Sequence, residues 1–402
     1  MRDSRTPTYI DLFAGCGGLS LGLYKAGWTG LFAVEKDRMA FETLKHNLID
    51  KKNHFLWPKW LPCAPLDINK VIKNYSPELK QLAGKIDLIA GGPPCQGFSF
   101  AGRRMEGDFR NKLVYSYLKF IRLVKPKLVF FENVTGFTIP FRKNKSSGIV
   151  YSSYVAKQLE KIGYNVMWQV IDFSDFGVPQ RRKRFILVGF YGGDAAKFFK
   201  EIRNSRDAYL DAKGLTTKIS LFDAISDLER SNGEVNDPDF GGFQRGIYSK
   251  PKSNYQTFLR REASTSLPDS HRFANHEKTT LARFELLLTS CSITGRVSTV
   301  LRRKFGIKKH SITILRGAFI SPTLTTLPDD FIHYSEPRIL TVREYARIQT
   351  FDDWFEFKGK YTTGGKRRTK ETPRYTQVGN AVPPLFAEQA GTVLREMTSW
   401  KN

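Results

Sequence analysis

The first half of the chain alternates short apolar runs with amphipathic segments, and this alternation limits the folds open to it. Residues 9–13, 31–35, 86–90, 127–132, 165–172 and 184–190 read as strands, and residues 19–26, 39–48, 113–124 and 154–162 read as helices. Strands separated by helical crossovers form a mostly parallel sheet that is covered on both faces. We therefore predict an α/β fold for this part of the chain.

The regular pattern breaks after about residue 191. Residues 191–340 mix short predicted helices at 221–228 and 279–288 with Gly, Pro, Ser and basic clusters. Each basic cluster by itself is more often a solvated surface than a contact. Regularity returns with a helix at 341–350, a basic loop at 358–372 and a closing helix at 384–398. This pattern predicts a second, smaller and less regular domain with a basic face.

The charge of the chain is unusual for a soluble protein. It has 64 Lys+Arg against 39 Asp+Glu, a formal net charge of +25. An excess of this size indicates a polyanionic partner, because Lys and Arg that neutralise phosphates release counterions. The alternatives are a merely basic surface, or an acidic membrane, for which the chain lacks an amphipathic basic helix with a clean apolar face.

Targeting segments and metal motifs are not expected. No apolar run approaches the ~20 residues of a membrane-spanning helix, and the first seven residues lead directly into a predicted strand. We therefore expect no signal peptide and a cytoplasmic protein. Cys16, Cys63, Cys95 and Cys291 are far apart and the six His are scattered, so we expect no metal site.

Cys95 follows the apolar run 85–90, within Gly-Gly-Pro-Pro-Cys-Gln-Gly-Phe-Ser at residues 91–99. An apolar run that ends in Gly and Pro predicts a strand that stops at the edge of a sheet. Active sites of α/β sheets are usually built at that edge. The position suits a nucleophile, and the alternative is a buried structural cysteine at a tight turn.

A glycine-rich turn, Asp-Leu-Phe-Ala-Gly-Cys-Gly-Gly at residues 11–18, follows the first predicted strand and opens a helix. Such a turn lets a cofactor approach the backbone beside a helix N-terminus. Glu35 ends the next strand, where a carboxylate can bind ribose hydroxyls. These features fit NAD and S-adenosylmethionine equally well. Asp67 is a third candidate contact, to an adenine amino group, or else a surface turn residue.

Three further charged residues are candidates for chemistry. Glu132 closes the apolar strand 127–131, where poor solvation suits a carboxylate to proton transfer; a carboxylate at a helix N-terminus is the alternative. Arg182 and Arg184 enter a predicted strand two residues apart, which places them on one face. Two guanidinium groups there can orient a nucleobase carbonyl or a carboxylate.

Six motifs taken together resemble those of the DNA (cytosine-5)-methyltransferases, and the resemblance covers nearly the whole chain. The motifs lie at residues 11–18, 92–99, 131–134, 180–184, 343–349 and 377–384. The resemblance implies a Rossmann-like S-adenosylmethionine-dependent methyltransferase sheet with a smaller irregular target-recognition domain. The implied domains are a catalytic and cofactor-binding domain at 1–190, completed by 374–402, a target-recognition domain at 191–340, and a helix and hinge at 341–373.

The resemblance also implies roles for the candidate residues. Cys95 is similar to the nucleophile that adds to C6 of cytosine, and Glu132 to the residue that engages N3 and the exocyclic amine. Arg184 is similar to the arginine that holds O2, with Arg182 supporting it. No metal is needed. The implied contacts of S-adenosylmethionine are Phe13, Gly15, Gly17, Glu35, Asp67, Ile68, Pro94, Asn380 and Val382. Lys36 departs from the pattern, since some members carry an aromatic residue there.

Cytosine inside a duplex is out of reach of such a pocket, so the resemblance implies that the target base is flipped out. Residues 97–112 contain three glycines and fit a lid that closes over it. Thr323, in a Thr-Leu pair, resembles a residue of the family's recognition domain. The implied DNA contacts are Gln96, Ser99, Arg103, Arg104 and Thr323.

The favoured function is therefore a DNA cytosine-5 methyltransferase of a bacterial restriction–modification system, acting as a monomer on double-stranded DNA. The expected protein partner is a restriction endonuclease with the same site, and the expected location is the cytoplasm, at the nucleoid. A tRNA cytosine-5 methyltransferase is the second hypothesis, because one branch of the family acts on RNA. That branch carries a Cys-Phe-Thr signature in its recognition region, whereas here Cys291 is followed by Ser292, which argues against it. The remaining hypotheses are a catalytically silent DNA-binding regulator and a nicotinamide oxidoreductase.

Overall fold

The computed structural model describes residues 6–94, 112–140, 150–263, 265–290, 295–307, 309, 311–364, 367 and 370–399. The chain forms two compact units. The first consists of Met1–Phe173, Lys183–Tyr209 and Val382–Asn402, and the second of Ser174–Arg182 and Leu210–Ala381. These bounds differ from those of the functional domains implied by the resemblance, which remain a prediction.

A six-stranded sheet forms the centre of the first unit, with the strand order β2-β1-β3-β4-β6-β5. Strand β1 is parallel to β2 and β3, and β3 is parallel to β4. Strand β6 is antiparallel to both of its neighbours. The strands are β1 Thr8–Leu12, β2 Thr29–Val34, β3 Leu88–Gly91, β4 Leu128–Val134, β5 Tyr164–Asp172 and β6 Lys183–Tyr191.

The antiparallel end of this sheet follows from the length of one connection. Residues 173–182 join β5 to β6 and include only the 3-10 turn Phe173–Phe176. A parallel neighbour needs a crossover of about a dozen residues or more, usually a helix. The chain therefore turns back on itself, and the sheet is parallel over β1–β4 and antiparallel beyond.

The helices of the first unit cover both faces of the sheet. Their bounds are α1 Gly18–Lys25, α2 Arg38–Leu44, α3 Ile68–Asn74, α4 Ser76–Gln81, α5 Lys112–Val124, α6 Tyr151–Glu160, α7 Ala196–Asn204 and α15 Pro384–Ser399; α2 continues as the π-helical turn Lys45–Lys51, and α8 Arg206–Asp211 leads into the second unit. A core on one face joins Ile10 and Val129 of the sheet with Val71 of α3, Ile121 of α5 and Val155 of α6.

Helix α15 packs closely on α1 at two glycines. A Cβ atom added to Gly22 would lie 2.3 Å from Cβ of Ala387, and one added to Gly391 would lie 2.9 Å from Cβ of Ala26. The indole N–H of Trp28 donates to the Gly391 carbonyl at 2.8 Å. Because glycine has no side chain, the backbones of the two helices can approach each other closely at these positions.

The second unit contains helices and very short strands around its own core. Its elements are α9 Leu221–Ile225, β7 Glu234–Asn236, β8 Gln244–Gly246, α10 Asn254–Arg260, α11 Lys278–Ser290, β9 Gly295–Arg296, α12 Thr299–Lys304, β10 Thr313–Ile314, β11 Phe331–Ile332, α13 Val342–Ile348 and α14 Arg374–Asn380. Strand β10 is parallel to β11 and antiparallel to β9. A cluster of apolar residues that includes Leu287, Ile314 and Ile332 is buried there.

Buried ion pairs hold α13 in the second unit. The Arg347 guanidinium donates to the carboxylates of Asp227 at 3.1 Å and Asp353 at 2.5 Å, and all three side chains are completely buried. Burying a charge is costly unless it is paired and hydrogen-bonded. The two carboxylates pair with the buried guanidinium of Arg347 and accept its hydrogen bonds, so its charge is compensated. In the described part of the chain, no helix has the length and apolar character that a membrane crossing requires.

Candidate active site

A cleft opens in the first unit where β1 and β2 end. Its volume is about 320 Å³, including its open mouth. The residues that line it come from both strand ends, from the start of α3, from the segment after β3 and from α5: Phe13, Val34, Glu35, Lys36, Leu66, Asp67, Ile68, Pro94 and Leu113. Carboxyl ends of parallel strands are the usual place for a ligand in such a sheet.

Phe13 has an unusual backbone conformation at the edge of this cleft. Its φ is +61°, in the left-handed region, where bulky residues are rarely found. The backbone N–H groups of Phe13 and Ala14 both donate to the Val34 carbonyl, at 2.8 and 3.2 Å. These bonds tie the turn to β2 and hold the strained residue in place. Backbone strain of this kind occurs mostly at functional sites.

The glycine turn is joined to Glu35. Gly15 and Gly17 have φ values of +56° and +94°, which only glycine adopts readily. The Gly15 N–H donates to Oε2 of Glu35 at 2.9 Å, and the Asp37 N–H donates to Oε1 at 2.7 Å. Burial raises the pKa of this carboxyl above its usual range. The backbone thus fixes the Glu35 carboxylate at the cleft.

Asp67 is both a helix cap and a lining residue of the cleft. It is the N-cap of α3, where Oδ1 accepts the Asn69 N–H at 2.8 Å. Asp67 also lines the cleft beside Ile68. Its contact with an adenine amino group stays a prediction.

The lining suits S-adenosylmethionine. An aromatic ring and aliphatic side chains in the lining can hold an adenine ring. The carboxylates of Glu35 and Asp67 can accept hydrogen bonds from hydroxyl and amino groups. Five of the predicted cofactor residues lie here: Phe13, Glu35, Asp67, Ile68 and Pro94. Sequence reasoning missed Val34, Leu66 and Leu113 as lining residues. Val34 and Leu66 directly precede predicted contacts, whereas Leu113 is brought in by α5 and has no local signal.

Glu132 and Arg184 form an ion pair at the end of β4. Their Oε1 and Nε atoms are 3.0 Å apart, and each side chain is 13% exposed. In the register of β4 with β6, Arg184 lies opposite Val134, two residues from Glu132, so the pair is a diagonal one. The arrangement places an acceptor carboxylate and a donor guanidinium side by side, which together can bind a group that both donates and accepts hydrogen bonds.

The segment 92–94 connects this pair with the cleft. A Cβ atom added to Gly92 would lie 2.8 Å from Oε2 of Glu132, and Asn133 Nδ2 donates to the Pro93 carbonyl at 3.2 Å. Pro94 lines the cleft. Cys95, the next residue, lies outside the described residues, as do the predicted DNA contacts Gln96, Ser99, Arg103 and Arg104.

The remaining predicted residues lie elsewhere. Strand β6 begins at Lys183, so Arg182 precedes it; Arg182 is buried and donates to the carbonyls of Gly379 and Ala381 at 3.0 and 3.2 Å. Its guanidinium therefore has other partners than that of Arg184. Thr323 donates to the Arg181 carbonyl at 2.6 Å, and Asn380 ends α14, both in the second unit. Val382 is 9% exposed in the first unit.

Cys16 is not a candidate nucleophile. It lies within the glycine turn, and burial raises the pKa of its thiol to about 12, whereas nucleophilic cysteines react as thiolates. Within the described residues no group of three or more His, Cys, Asp or Glu side chains is arranged to hold a metal ion.

Asp11 is a buried carboxyl beneath the glycine turn. Its Oδ2 accepts the Ser20 hydroxyl at 2.6 Å, while Oδ1 receives no hydrogen bond from the described residues. Burial is the main cause that raises the pKa of Asp11 to about 7; the Ser20 bond lowers it and the charge of Glu35 raises it.

Asp11→Asn should stabilise the protein more, relative to wild type, at about pH 8 than at about pH 5. Between about pH 4 and 7 the folded Asp11 keeps a proton that the unfolded one releases, so its contribution to stability falls as pH rises. The loss of folding stability between these pH values is at most ~4 kcal/mol. Asparagine does not titrate, so the variant has no such pH-dependent loss. Thermal unfolding at both pH values measures the difference, and Asp50→Asn, at an exposed ion pair, is the control. An equal difference at both pH values would contradict the assignment.

The chain resembles known proteins over nearly its whole length. The sequence profile of the family described as C-5 cytosine-specific DNA methylase matches residues 8–396. The chain is 32% identical to Type II methyltransferase M.DdeI of Desulfomicrobium norvegicum, over 97% of this chain and 88% of that one. It is 32% identical to Type II methyltransferase M.XorII of Xanthomonas oryzae, over 96% and 84%. A solved structure of a prophage-encoded protein from E. coli has the same fold, with a TM-score of 0.62, 23% identity, and 98% and 99% coverage.

Proposed function

This chain belongs to the C-5 cytosine-specific DNA methylases, and we propose that it methylates C5 of a flipped-out cytosine in a specific double-stranded DNA site. S-adenosyl-L-methionine is the proposed methyl donor. The observation that carries the proposal is the position of the segment 92–94: a Cβ atom on Gly92 would lie 2.8 Å from Oε2 of Glu132, and Pro94 lines the cleft. The proposed nucleophile, Cys95, is the next residue in the sequence.

The residues that act on the base are Cys95, Glu132 and Arg184. The Cys95 thiolate adds to C6, which makes C5 electron-rich. Glu132 engages N3 and the exocyclic amine and passes a proton to N3 as the thiolate adds, and Arg184 donates to O2, so no net negative charge accumulates on the ring. After C5 has taken the methyl group, the C5 proton is lost to solvent and the N3 proton returns to Glu132, so the Cys95 thiolate leaves and the ring is restored. Arg182, supported by its bonds to Gly379 and Ala381, positions the strand that carries Arg184.

The cofactor supplies an electrophilic methyl group. Glu35 is proposed to accept the ribose hydroxyls and Asp67 the adenine amine, because both carboxylates line the cleft. Phe13, Ile68 and Pro94 provide its apolar walls. Gly15 and Gly17 allow close approach of the ligand to the backbone, and Asn380 and Val382 complete the proposed site.

DNA binding is supported by the net charge of +25, since phosphate neutralisation dominates affinity for DNA. The proposed contacts are Gln96, Ser99, Arg103, Arg104 and Thr323. Flipping the base costs a few kcal/mol, which contacts of this kind must offset.

We further propose that the chain is the modification enzyme of a restriction–modification system, as the names of its relatives suggest. It then protects a short site from a restriction endonuclease that cuts there. Its substrate places it in the cytoplasm, at the nucleoid, and a monomer suffices to act on one strand at a time.

Expression in a bacterium that lacks cytosine methylation and methyl-dependent restriction tests the proposal. Bisulfite sequencing of the host DNA should find conversion-resistant cytosines within one short motif. An unmethylated genome in cells that contain the folded protein would contradict it. Methyl incorporation into tRNA in the same cells would instead support the tRNA methyltransferase hypothesis.

A further inference from the structure

Two buried glutamines of the second unit form a row of hydrogen bonds, called here the glutamine relay. The Leu324 backbone N–H donates to Oε1 of Gln180 at 2.9 Å. Nε2 of Gln180 donates to Oε1 of Gln349, also at 2.9 Å. Nε2 of Gln349 donates to the Val378 carbonyl at 2.8 Å. Both glutamine side chains are completely buried.

The relay has a fixed direction. At one end it meets a backbone N–H, which only donates, and at the other a backbone carbonyl, which only accepts. Reversing the Gln180 amide would place two donors together at Leu324, and reversing the Gln349 amide would place two acceptors together at Val378. The two backbone ends therefore determine both amide orientations, and buried groups of this kind are costly to leave unpaired.

The relay joins segments that are far apart in the chain. Gln180 precedes the arginines that lead into β6, Leu324 follows Thr323, and Gln349 follows α13. Val378 lies in the last turn of α14, where its carbonyl also accepts the Ala381 N–H at 3.2 Å. Gln349 donates to the same carbonyl, and Arg182 donates to that of Gly379.

Further bonds hold the Thr323 segment against the residues around Gln180. The Arg181 N–H donates to the Ser321 carbonyl at 2.8 Å, and the Ser321 N–H donates to the Pro179 carbonyl at 2.9 Å. The Thr323 hydroxyl donates to the Arg181 carbonyl. Arg182, the next residue, donates to the Gly379 carbonyl of α14. The two glutamine amides add a second link to the same helix.

We propose that Gln180 and Gln349 are positioning residues that hold the Thr323–Leu324 pair and α14 in one fixed arrangement. The inference rests on the proposed function for the roles of Thr323 in DNA binding and Asn380 in cofactor binding. The two binding events then depend on the same buried amides, although neither glutamine touches a substrate. Fully satisfied buried networks specify one geometry in this way.

Substitutions at Gln349 test the relay, and Gln256 provides a matched control. Gln256 is also completely buried in the second unit. It accepts the Lys252 N–H and donates to the Phe222 carbonyl and to Ser226. It therefore has as many partners as a relay glutamine but lies outside the relay. The variants are Gln349→Met, Gln349→Glu, Gln256→Met and Gln256→Glu.

Hydrogen exchange tests the relay without a measurement of enzyme activity. In Gln349→Met the Leu324 amide should exchange at least about tenfold faster, together with the amides of α14, although Leu324 does not contact Gln349. Gln256→Met should leave both segments as in wild type. A Leu324 amide with unchanged exchange in Gln349→Met, or an equal change in Gln256→Met, would overturn the inference.

Gln349→Glu adds a readout that a merely structural role would not give. Ionised, the new carboxylate faces the Val378 carbonyl and repels it; protonated, its O–H donates as the amide did. Relative to wild type, kcat/KM for DNA should be about 10- to 100-fold lower at high pH and should recover as pH falls. Gln256→Glu should show no such pH dependence of activity.

The outcomes separate the relay from the function on which it rests. A wild-type protein that methylates DNA, with Gln349→Glu equal to it at every pH, overturns the relay alone. A wild-type protein that methylates no DNA overturns the proposed function, and the exchange of Leu324 then decides the relay. If Gln349→Met fails to fold, exchange in Gln349→Glu at high and low pH replaces it.

Discussion

Cys95→Ser is expected to abolish methyl transfer to DNA and to leave cofactor binding intact. A thiol ionises near pH 8.5, whereas a serine hydroxyl ionises far above neutral pH and needs a base to become a nucleophile. Serine differs from cysteine only in carrying oxygen in place of sulfur, so the variant keeps the shape of the side chain without the reactivity of the thiol. Transfer of a labelled methyl group to DNA, and titration of the cofactor, measure the two properties.

Cys63→Ser is the matched control, because Cys63 is an exposed cysteine of the same unit; its activity should equal that of wild type. A duplex with fluorine in place of the C5 hydrogen provides a second readout. It cannot lose a proton at C5, so wild type should stay covalently attached under denaturing conditions and Cys95→Ser should not. Methylation by Cys95→Ser at the wild-type rate would refute the covalent mechanism.

Glu132→Gln is expected to lower kcat by about 10²- to 10⁴-fold, the usual range for loss of acid–base catalysis. Glutamine keeps the size of the side chain but removes its charge and its capacity to exchange a proton. The effect extends to Arg184, whose Nε lies 3.0 Å from the carboxylate. An amide nitrogen there would oppose a donor, and an amide oxygen would balance the guanidinium only in part.

Single-turnover methyl transfer at saturating cofactor isolates this step, and the cofactor dissociation constant should stay near that of wild type. Glu42→Gln removes a carboxylate from an exposed ion pair with Arg38 in the same unit and should leave the rate unchanged, since exposed pairs contribute little. A rate for Glu132→Gln that equals the control would exclude Glu132 from the chemistry.

The parts of the fold and site that follow local patterns could be predicted from the sequence. Strands β1 to β4 and helices α1, α2 and α5 follow from hydrophobic periodicity, whereas α3 and α4 were not predicted. The resemblance to the methyltransferase family assigned Phe13, Glu35 and Pro94 to one cofactor site, and all three line one cleft. Their chemical roles stay predictions.

Other features were not predicted. The short connection 173–182 is a local signal for the antiparallel direction of β6, whereas Leu113 reaches the cleft only through the packing of α5. The predicted common face of Arg182 and Arg184 assumed a strand that begins earlier than Lys183. Gln180 and Gln349 are 169 residues apart, and nothing in either neighbourhood indicates that their amides meet.

The packing of α15 on α1 has a consequence for the order in which the protein is made. Trp28 bonds to Gly391, 363 residues further along the chain, and Leu23 and Ala26 lie against the same glycine. A ribosome therefore releases the strands of the first unit long before the helix that covers them. Closing so long a loop costs entropy, which the α1–α15 contacts must offset. A nascent chain that ends before Pro384 lacks α15, so the surface of α1 that packs against it stays exposed, and the first unit becomes complete only after the whole second unit has been synthesised.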